Sequence, residues 1–461
     1  MKKILALILA LIFIIAVTSC ANSSTSSSPS SNNTSSVSSG HPNSSNVSVA
    51  PPHSSGTQSF PSTNPSTDSS NESGSSDFPT SSGDFSENSS YDSSNESENT
   101  SSFSPIGTIK PIKPENKWCY THLTQIQKQI YTELYDLVVE YSIEFVEFED
   151  CEYDDLVLAD YALRCDYPEL FWIGGSFYTI YNETEDKYSI GYYDEDLDDS
   201  GHLCSFEESK LLAEALDEAV AEFMENINPQ MTEYEIVLAA HDFIADRVTY
   251  DDEAAADHEA NPFSFTSYGA LVSGKAVCEG YAKAFQLLMN KIGIYSICVT
   301  GSYDGVGHMW NMVKIGGDWY NVDITFDDQS SLYHLYLNKT DEFMLHNKYT
   351  IDPDFQGSVQ GEGYNIAKPD ATAELMSYHN VTGYVIDSDI PINNGFYNAV
   401  KLACKNEKTS IEVMLDPSID ANTFNIQNYI RNVDLSTLDI TSLDIISFSG
   451  VTRVFIISWG K

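Results

Sequence analysis

The sequence predicts an α+β fold in which a helix carrying a cysteine packs on an antiparallel sheet carrying a histidine and an aspartate. Three observations between residues 268 and 328 support this prediction. A helical pattern begins at Cys278, two strand-like runs follow it, and a Gly-Gly pair joins the two runs. Helix and hairpin therefore follow one another closely enough to form a single packed unit.

The helix is predicted to begin at or just after Cys278, because Gly274 and the residues after it are typical of a loop. The apolar residues beyond the cysteine recur at helical spacing: Tyr281, Phe285, Leu288 and Met289. A thiol at a helix N-terminus faces unpaired N–H groups and the positive end of the helix dipole, which favour the reactive thiolate and could bind an oxyanion. Cys278 is therefore a candidate nucleophile, although a cysteine of this kind more often only packs.

The hairpin consists of residues 308–315 and 318–325, joined by Gly316-Gly317, which is a strong signal for a two-residue turn. In this register Ile315 faces Asp318. Side chains alternate along a strand, so one face collects the apolar set. That set is Met309, Val313, Ile315, Tyr320, Val322 and Ile324.

His308 and Asp323 fall on the opposite face as diagonal neighbours, because His308 pairs with Thr325 and Trp310 pairs with Asp323. Diagonal neighbours lie roughly 7–8 Å apart at the backbone, which lets an imidazole reach a carboxylate. The carboxylate can fix the ring tautomer and leave the other ring nitrogen for the thiol. The alternative is a polar outer face that holds these residues by chance, and a slip of one residue would separate them.

The run from Tyr268 to Asp328 resembles the transglutaminase-like superfamily, in the form common in bacterial extracellular proteins. The residues that carry the match are Gly274, Ala276, Cys278, Gly280, Tyr281, His308, Trp310, Asn311, Trp319, Tyr320, Asp323 and Thr325. The resemblance implies a papain-like core with Cys278 as nucleophile, His308 as acid and base, and Asp323 as the orienting group. Members of this superfamily include protein cross-linkers, peptidases, glycan-removing amidases and inactive relatives.

Three further residues are candidates for a substrate cleft, namely Tyr268, Trp310 and Asn321, with Tyr268 also considered as a second oxyanion donor. We expect no cofactor and no metal. A zinc site at the triad lacks the usual paired Cys or His motif. The acidic residues 251–259 lack the regular ligands and the glycine of a calcium loop.

Residues 1–20 have the layout of a secretory signal, with Lys2-Lys3 followed by an apolar run. The run ends in Val-Thr-Ser-Cys, which resembles the bacterial lipoprotein cleavage box and implies lipid attachment to Cys20. An ordinary signal peptide is the alternative. We therefore expect an extracytoplasmic protein that is anchored to the cell membrane through a lipidated Cys20.

The remaining chain divides into four predicted parts. Residues 21–114 are rich in Ser, Asn, Thr and Pro and are predicted to be a disordered tether. Residues 115–230 form an N-terminal α+β part of the catalytic region, 231–365 the transglutaminase-like core, and 366–461 a small α+β accessory domain.

Periodicity predicts the elements of the outer parts. The N-terminal prediction is a helix at 121–142, two strands within 176–193, and helices at 206–226 and 232–248. The last helix has Thr232 and Glu235 as a capping box and carries His241 and Asp242, expected to be a buried edge and a solvated face. The C-terminal prediction is strands at 394–404 and 409–415, a helix at 421–431 capped by Asp420, and strands at 443–448 and 452–459.

The net charge limits the possible partners, and the cysteine count limits the possible disulfides. The chain carries 68 acidic and 23 basic residues, a net charge of −45, which excludes nucleic acid and favours a basic or neutral partner. Besides Cys20 and Cys278 there are six cysteines, which permit three disulfides in 15 connectivities. Cys298 is expected to be a core residue.

Three functions remain open from the sequence. The first is a surface enzyme that hydrolyses amide bonds of a protein or peptide, for example in the cell wall, through a Cys278 acyl intermediate. The second is a transglutaminase that cross-links surface proteins. The third is a non-catalytic binding or scaffolding module.

Overall fold

The computed structural model describes most of the chain from residue 104 onward and one short strand before it. The described residues are 38–40, 104–174, 177–192, 202–329, 332–351, 368–391, 394–448 and 451–460. Cys20, the predicted signal segment and most of the predicted tether lie outside these ranges. Among the described helices, none has the length and apolar character needed to cross a membrane.

The N-terminal part combines four helices with a small sheet. The helices are α1 Trp118–His122, α2 Gln125–Glu140, α3 Tyr153–Asp166 and α4 Phe206–Met224. The strands are β1 Ser38–Gly40, β2 Val146–Glu149, β3 Phe177–Asn182 and β4 Lys187–Gly191, in the spatial order β1-β3-β4-β2. Helix α3 escaped prediction because Asp160 and Asp166 are buried within it and interrupt its apolar pattern.

The core surrounds the helix that begins with Cys278. It contains α5 Glu233–Arg247, β5 Thr249–Tyr250, α6 Asp252–Ala256, β6 Lys275–Ala276 and α7 Cys278–Ile292. The predicted capping box at the start of α5 is confirmed, because the Thr232 N–H donates to Glu235 Oε2 at 2.8 Å and the Glu235 N–H donates to Thr232 Oγ1 at 3.2 Å. Helices α5 and α7 pack through one apolar cluster, which fixes α7 in the interior.

A five-stranded sheet packs against α7. Its members are β7 Ser296–Tyr303, β8 Val306–Ile315, β9 Asp318–Val322, β10 Leu337–Lys339 and β11 Tyr349–Ile351, in the order β10-β9-β8-β7-β11. Two short helices, α8 Ile324–Asp327 and α9 Asp341–His346, lie between its strands in the chain. The predicted hairpin register is confirmed, since Ile315 pairs with Asp318 and Asn311 pairs with Val322.

The structure corrects two details of the hairpin. Strand β9 ends at Val322, so Asp323 and Thr325 leave the ladder and enter helix α8. The face that was expected to be polar is buried as well, because Trp310 and Trp319 lie in a second apolar cluster. Aromatic side chains from α8 and β11, including Tyr349, cover this face and exclude water from it.

The C-terminal part has its own sheet. Its elements are α10 Tyr378–Val381, β12 Tyr384–Ile386, α11 Gly395–Lys405, β13 Ser410–Leu415, α12 Ile426–Arg431, β14 Ser442–Phe448 and β15 Val451–Gly460. The strands follow the order β12-β13-β15-β14, with β12 parallel to β13 and the other pairs antiparallel. The mixture of helices and sheets confirms the α+β class.

Two predictions for this part are wrong. Residues 394–404 form helix α11 instead of a strand, with Phe396, Val400 and Ala403 buried at helical spacing. Helix α12 is shorter than predicted and is capped by Asn425, whose Oδ1 accepts from the N–H of Asn428 at 2.8 Å.

The described cysteines form no disulfide in this structure. The seven described cysteines are free thiols, and Cys278 is one of them. The three disulfides that their even number permits are therefore not formed here.

The Thr232 cap provides a stability test of this architecture. Thr232→Ala removes the side-chain acceptor at the start of α5 and should lower the free energy of unfolding by about 1 kcal/mol. Thr232→Ser keeps the hydroxyl and should stay close to the wild type. Urea denaturation measures both variants, and an equal loss in each would argue against the cap.

Candidate active site

Cys278 is the first residue of α7 and is 1% exposed. Val277 before it is extended, and its N–H donates to the Ser264 carbonyl at 3.0 Å. The backbone near Ser264 packs so closely that a Cβ on Gly280 would stand 2.5 Å from the Ser264 oxygen. Cys278 therefore lies at the N-terminus of a closely packed helix, as the sequence predicted.

His308 and Asp323 meet inside the molecule. His308 lies on β8 opposite Gly301 of β7, and its Nε2 is 2.5 Å from Asp323 Oδ2. Asp323 is the N-cap of α8, and its Oδ1 accepts from the Phe326 N–H at 3.1 Å. Both side chains are 1% exposed. Asp323 therefore positions the His308 ring through Oδ2 and caps helix α8 through Oδ1.

A third group completes this contact. The hydroxyl of Tyr349 on β11 donates to Asp323 Oδ2 at 2.6 Å. Sequence reasoning missed Tyr349, because the residue belongs to a short edge strand and lies 26 positions beyond Asp323. A buried carboxylate is stable when its lone pairs are occupied by donors, and Tyr349 supplies one of them.

The second nitrogen of the His308 ring is left for the thiol. Nδ1 is buried and forms no hydrogen bond among the described residues. Burial lowers the pKa of His308, but the charge and hydrogen bond of Asp323 and the neighbouring Cys278 thiol outweigh burial and raise the pKa to about 10. The ring is therefore an imidazolium at neutral pH, with one N–H on Asp323 and the other on the thiol side.

The three predicted cleft residues are buried. The Trp310 ring stacks on His308 with centroids 6.1 Å apart, and its Nε1–H donates to Asn321 Oδ1 at 3.0 Å. Tyr268 stacks on Phe171, with centroids 4.9 Å apart, inside the cluster around α7. Trp310 thus packs against the His308 ring, and Asn321 holds the Trp310 ring in place. None of the three residues lines an open cleft in this conformation.

The described residues also form a cavity of about 250 Å³ whose lining does not include the triad. It lies between β10, α9 and the C-terminal sheet, and Lys339, Phe343 and Arg453 are among its walls. Cys278, His308 and Asp323 are absent from its lining. This cavity therefore gives no access to the Cys278 sulfur.

Known proteins resemble the segment that holds the triad. The family model of the transglutaminase-like superfamily matches residues 221–324. The kyphoscoliosis peptidase of Mus musculus is 25% identical over 188 residues, which covers 37% of this chain and 27% of that protein. The kyphoscoliosis peptidase of Homo sapiens is 29% identical over 123 residues, covering 24% and 18%. The chain thus spans about a quarter or less of these relatives.

A solved structure was also found, the crystal structure of a TGase. It is 16% identical, covers 45% of this chain and 51% of its own, and has a TM-score of 0.24. A TM-score this low carries no information on function.

Residues 221–324, which hold Cys278, His308 and Asp323, therefore match the transglutaminase-like superfamily. The resemblance seen in the sequence is confirmed at this level.

Removing the Tyr349 hydroxyl should weaken the site. Tyr349→Phe leaves Asp323 with one donor fewer in a buried position and should cost about 1–3 kcal/mol of unfolding free energy. Tyr303→Phe is the matched control, because its ring packs against Tyr349 while its hydroxyl is not bonded to Asp323. Denaturation in urea compares the two, and equal effects would show that the hydrogen bond from Tyr349 to Asp323 adds no stability of its own.

The raised pKa of His308 predicts a pH dependence of stability. A raised folded-state pKa contributes stability that is fully present below the unfolded value of 6.5 and is lost as pH rises toward about 10. The advantage of the wild type over His308→Gln should therefore shrink between pH 6.5 and 10. Unfolding free energies measured across this range check it, and a constant difference would contradict the ion pair.

Proposed function

We propose that the chain is a thiol enzyme that attacks amide carbonyls with Cys278 and hydrolyses the thioester that forms. The observation that carries this proposal is the order of groups in the core. A thiol at a helix N-terminus adjoins an imidazolium, and the imidazolium is held by a buried carboxylate. Few buried polar groups are arranged this way for packing alone.

The first half of the reaction forms a thioester. The Cys278 thiolate attacks the carbonyl carbon, a C–S bond forms, and the carbonyl electron pair moves to oxygen. The N–H groups at the start of α7, including that of Cys278, stabilise this oxyanion. The C–N bond then breaks while His308 Nδ1 gives its proton to the departing amine, leaving a neutral ring.

The second half restores the enzyme. The neutral ring of His308 takes a proton from water, and the resulting hydroxide equivalent attacks the thioester carbon. The C–S bond breaks, a carboxylic acid leaves, and the thiolate and imidazolium pair forms again. Asp323 and Tyr349 keep the ring in place throughout and stabilise its charged form.

We further propose an extracytoplasmic location with a protein or peptide as substrate. Support comes from the apolar leader that ends at Cys20, from the net charge of −45, and from the peptidase name of the relatives. A lipid on Cys20 would keep the enzyme on the membrane, and the following segment rich in serine and asparagine would let it reach a cell-wall or surface substrate.

One observation favours a second candidate function. Cys278 is 1% exposed, so a polypeptide cannot reach the sulfur in this conformation. A non-catalytic binding module would retain such a closed core. An enzyme must open it.

Alkylation of Cys278 separates the two candidates. The full chain is treated with iodoacetamide at pH 6 and neutral pH, and each cysteine is followed by peptide mapping. For an enzyme, Cys278 should react faster than the other buried thiols of the native protein, and His308→Gln should reduce its rate at least tenfold at pH 6. His258→Gln, which changes an exposed histidine, is the matched control and should react like the wild type.

If Cys278 reacts only after denaturation, the non-catalytic binding module becomes the better supported function. If Cys278 is reactive, peptide amides are offered with and without a primary alkylamine. Release of a free carboxylic acid supports hydrolysis, whereas incorporation of the amine in preference to water would assign cross-linking instead.

A further inference from the structure

A second group of ionisable side chains lies at the far end of helix α8 from Asp323. Asp242 Oδ1 is 2.9 Å from His241 Nδ1 and 3.0 Å from His334 Nε2. One donor atom from each of the three residues lies within 4.8 Å of the other two. His241 is fully buried, whereas the Asp242 side chain is 42% exposed. Three atoms suited to a metal thus converge beside an opening to solvent.

We propose that His241 Nδ1, His334 Nε2 and Asp242 Oδ1 bind a divalent transition-metal ion of the zinc class. Two imidazoles and one carboxylate form a common three-ligand set for zinc, with the fourth position left to water. Zinc bonds of roughly 2.0–2.1 Å place tetrahedral ligand atoms about 3.3 Å apart, close to the 2.9 and 3.0 Å that separate Asp242 Oδ1 from the two ring nitrogens. The proposal does not depend on the function of Cys278.

The outer nitrogens of both rings support this assignment. His241 Nε2 is 3.1 Å from Asp327 Oδ2, and His334 Nδ1 is 2.9 Å from Glu412 Oε1. Metal-binding histidines usually donate their second N–H to a carboxylate, which fixes the tautomer and the direction of the ligand nitrogen. Here each ring has such a carboxylate, supplied by a different part of the chain.

The ring of His334 is also held in one plane. Tyr378 stacks on it with centroids 4.0 Å apart and an interplanar angle of 11°. The backbone N–H of His334 donates to both oxygens of Glu412 at 3.1 Å. The nitrogen that faces Asp242 therefore cannot turn away without breaking these contacts.

Charge is balanced if one metal ion replaces two protons. With all four ring nitrogens protonated, two imidazolium rings lie with centroids only 5.1 Å apart and repel each other. A divalent ion displaces one proton from His241 Nδ1 and one from His334 Nε2, so the total charge stays constant. The rings become neutral, and both outer N–H groups remain on their carboxylates.

The donor set also selects among cations. Two of the three ligand atoms are imidazole nitrogens, which zinc and its neighbours accept. Calcium prefers six to eight oxygen ligands and finds one carboxylate here. The chain should therefore bind Zn²⁺ and not bind Ca²⁺ under the same titration conditions.

The test is calorimetric titration of the purified full chain. The protein is first dialysed against a chelator and then titrated at neutral pH with Zn²⁺ alone or with Ca²⁺ alone. We expect one Zn²⁺ per chain and no Ca²⁺. Asp242→Asn is close in shape and partly exposed, and it should weaken Zn²⁺ binding at least tenfold, whereas His258→Asn should leave it unchanged.

Three further measurements protect the test from a folding defect. Circular dichroism compares Asp242→Asn with the wild type. Glu412→Gln removes no ligand atom but loosens His334, and it should weaken Zn²⁺ binding by about 10–100-fold. Co²⁺ bound to the wild type should give the strong visible absorption of a four-coordinate ion with nitrogen and oxygen ligands.

The absence of stoichiometric Zn²⁺ binding by the wild type would overturn the proposal. Equal affinity in Asp242→Asn and the wild type would overturn it too, because the ion would then lie elsewhere. Either result would identify the cluster as a network of protonated histidines and carboxylates that joins α5 to the C-terminal sheet.

Discussion

The contact on which the site depends is the buried carboxylate of Asp323. It accepts from His308, from Tyr349 and from the N–H of Phe326, and it is 1% exposed. An ionised carboxylate away from water is costly unless its oxygens are occupied by donors. The three donors come from β8, β11 and α8, so the side chain is stable only when these elements are assembled. The position of the imidazole therefore follows from the completed sheet.

Helix α8 links this carboxylate to a second buried one. Asp323 caps its start and Asp327 ends it, with His308 and Tyr349 at one end and His241 at the other. Four residues are too few for an independent helix, so its shape comes from these contacts. Glu412 extends the same polar chain to strand β13. The C-terminal sheet is thus connected to the helices and strands around the triad through charged groups as well as through apolar packing.

Burial of the triad has two opposite consequences. It strengthens the attraction between the His308 ring and Asp323, because water is absent, and it preorganises the charges on which the proposed thioester reaction depends. It also leaves the Cys278 side chain almost without solvent access. The family match ends at residue 324, so Tyr349 and Glu412 lie beyond the matched segment. Tyr349 thus reaches Asp323 from outside the matched segment, and Glu412 bonds His334, which also lies outside it.

The sequence by itself determined the features that depend on neighbouring residues. The start of α7 at Cys278, the hairpin register across Gly316-Gly317 and the capping box at Thr232 follow from local spacing and turn geometry, and the structure agrees with each. The order of Cys278, His308 and Asp323 belongs to the same group, because a helix followed by a hairpin brings them close. Local patterns did not predict α3, and they predicted a strand where α11 lies. In both segments they did not show which side chains would be buried.

Tertiary structure alone decided the polar contacts between distant segments. The Tyr349 hydroxyl reaches Asp323 across 26 residues, His334 reaches Glu412 across 78 and Asp242 across 92. No periodicity encodes such pairs, because each depends on how whole sheets and helices pack. Burial of the hairpin's second face has the same origin, since the aromatic side chains that cover it come from later strands and helices. The sequence therefore determined which groups could react, and the packing of remote elements determined how they are charged, held and enclosed.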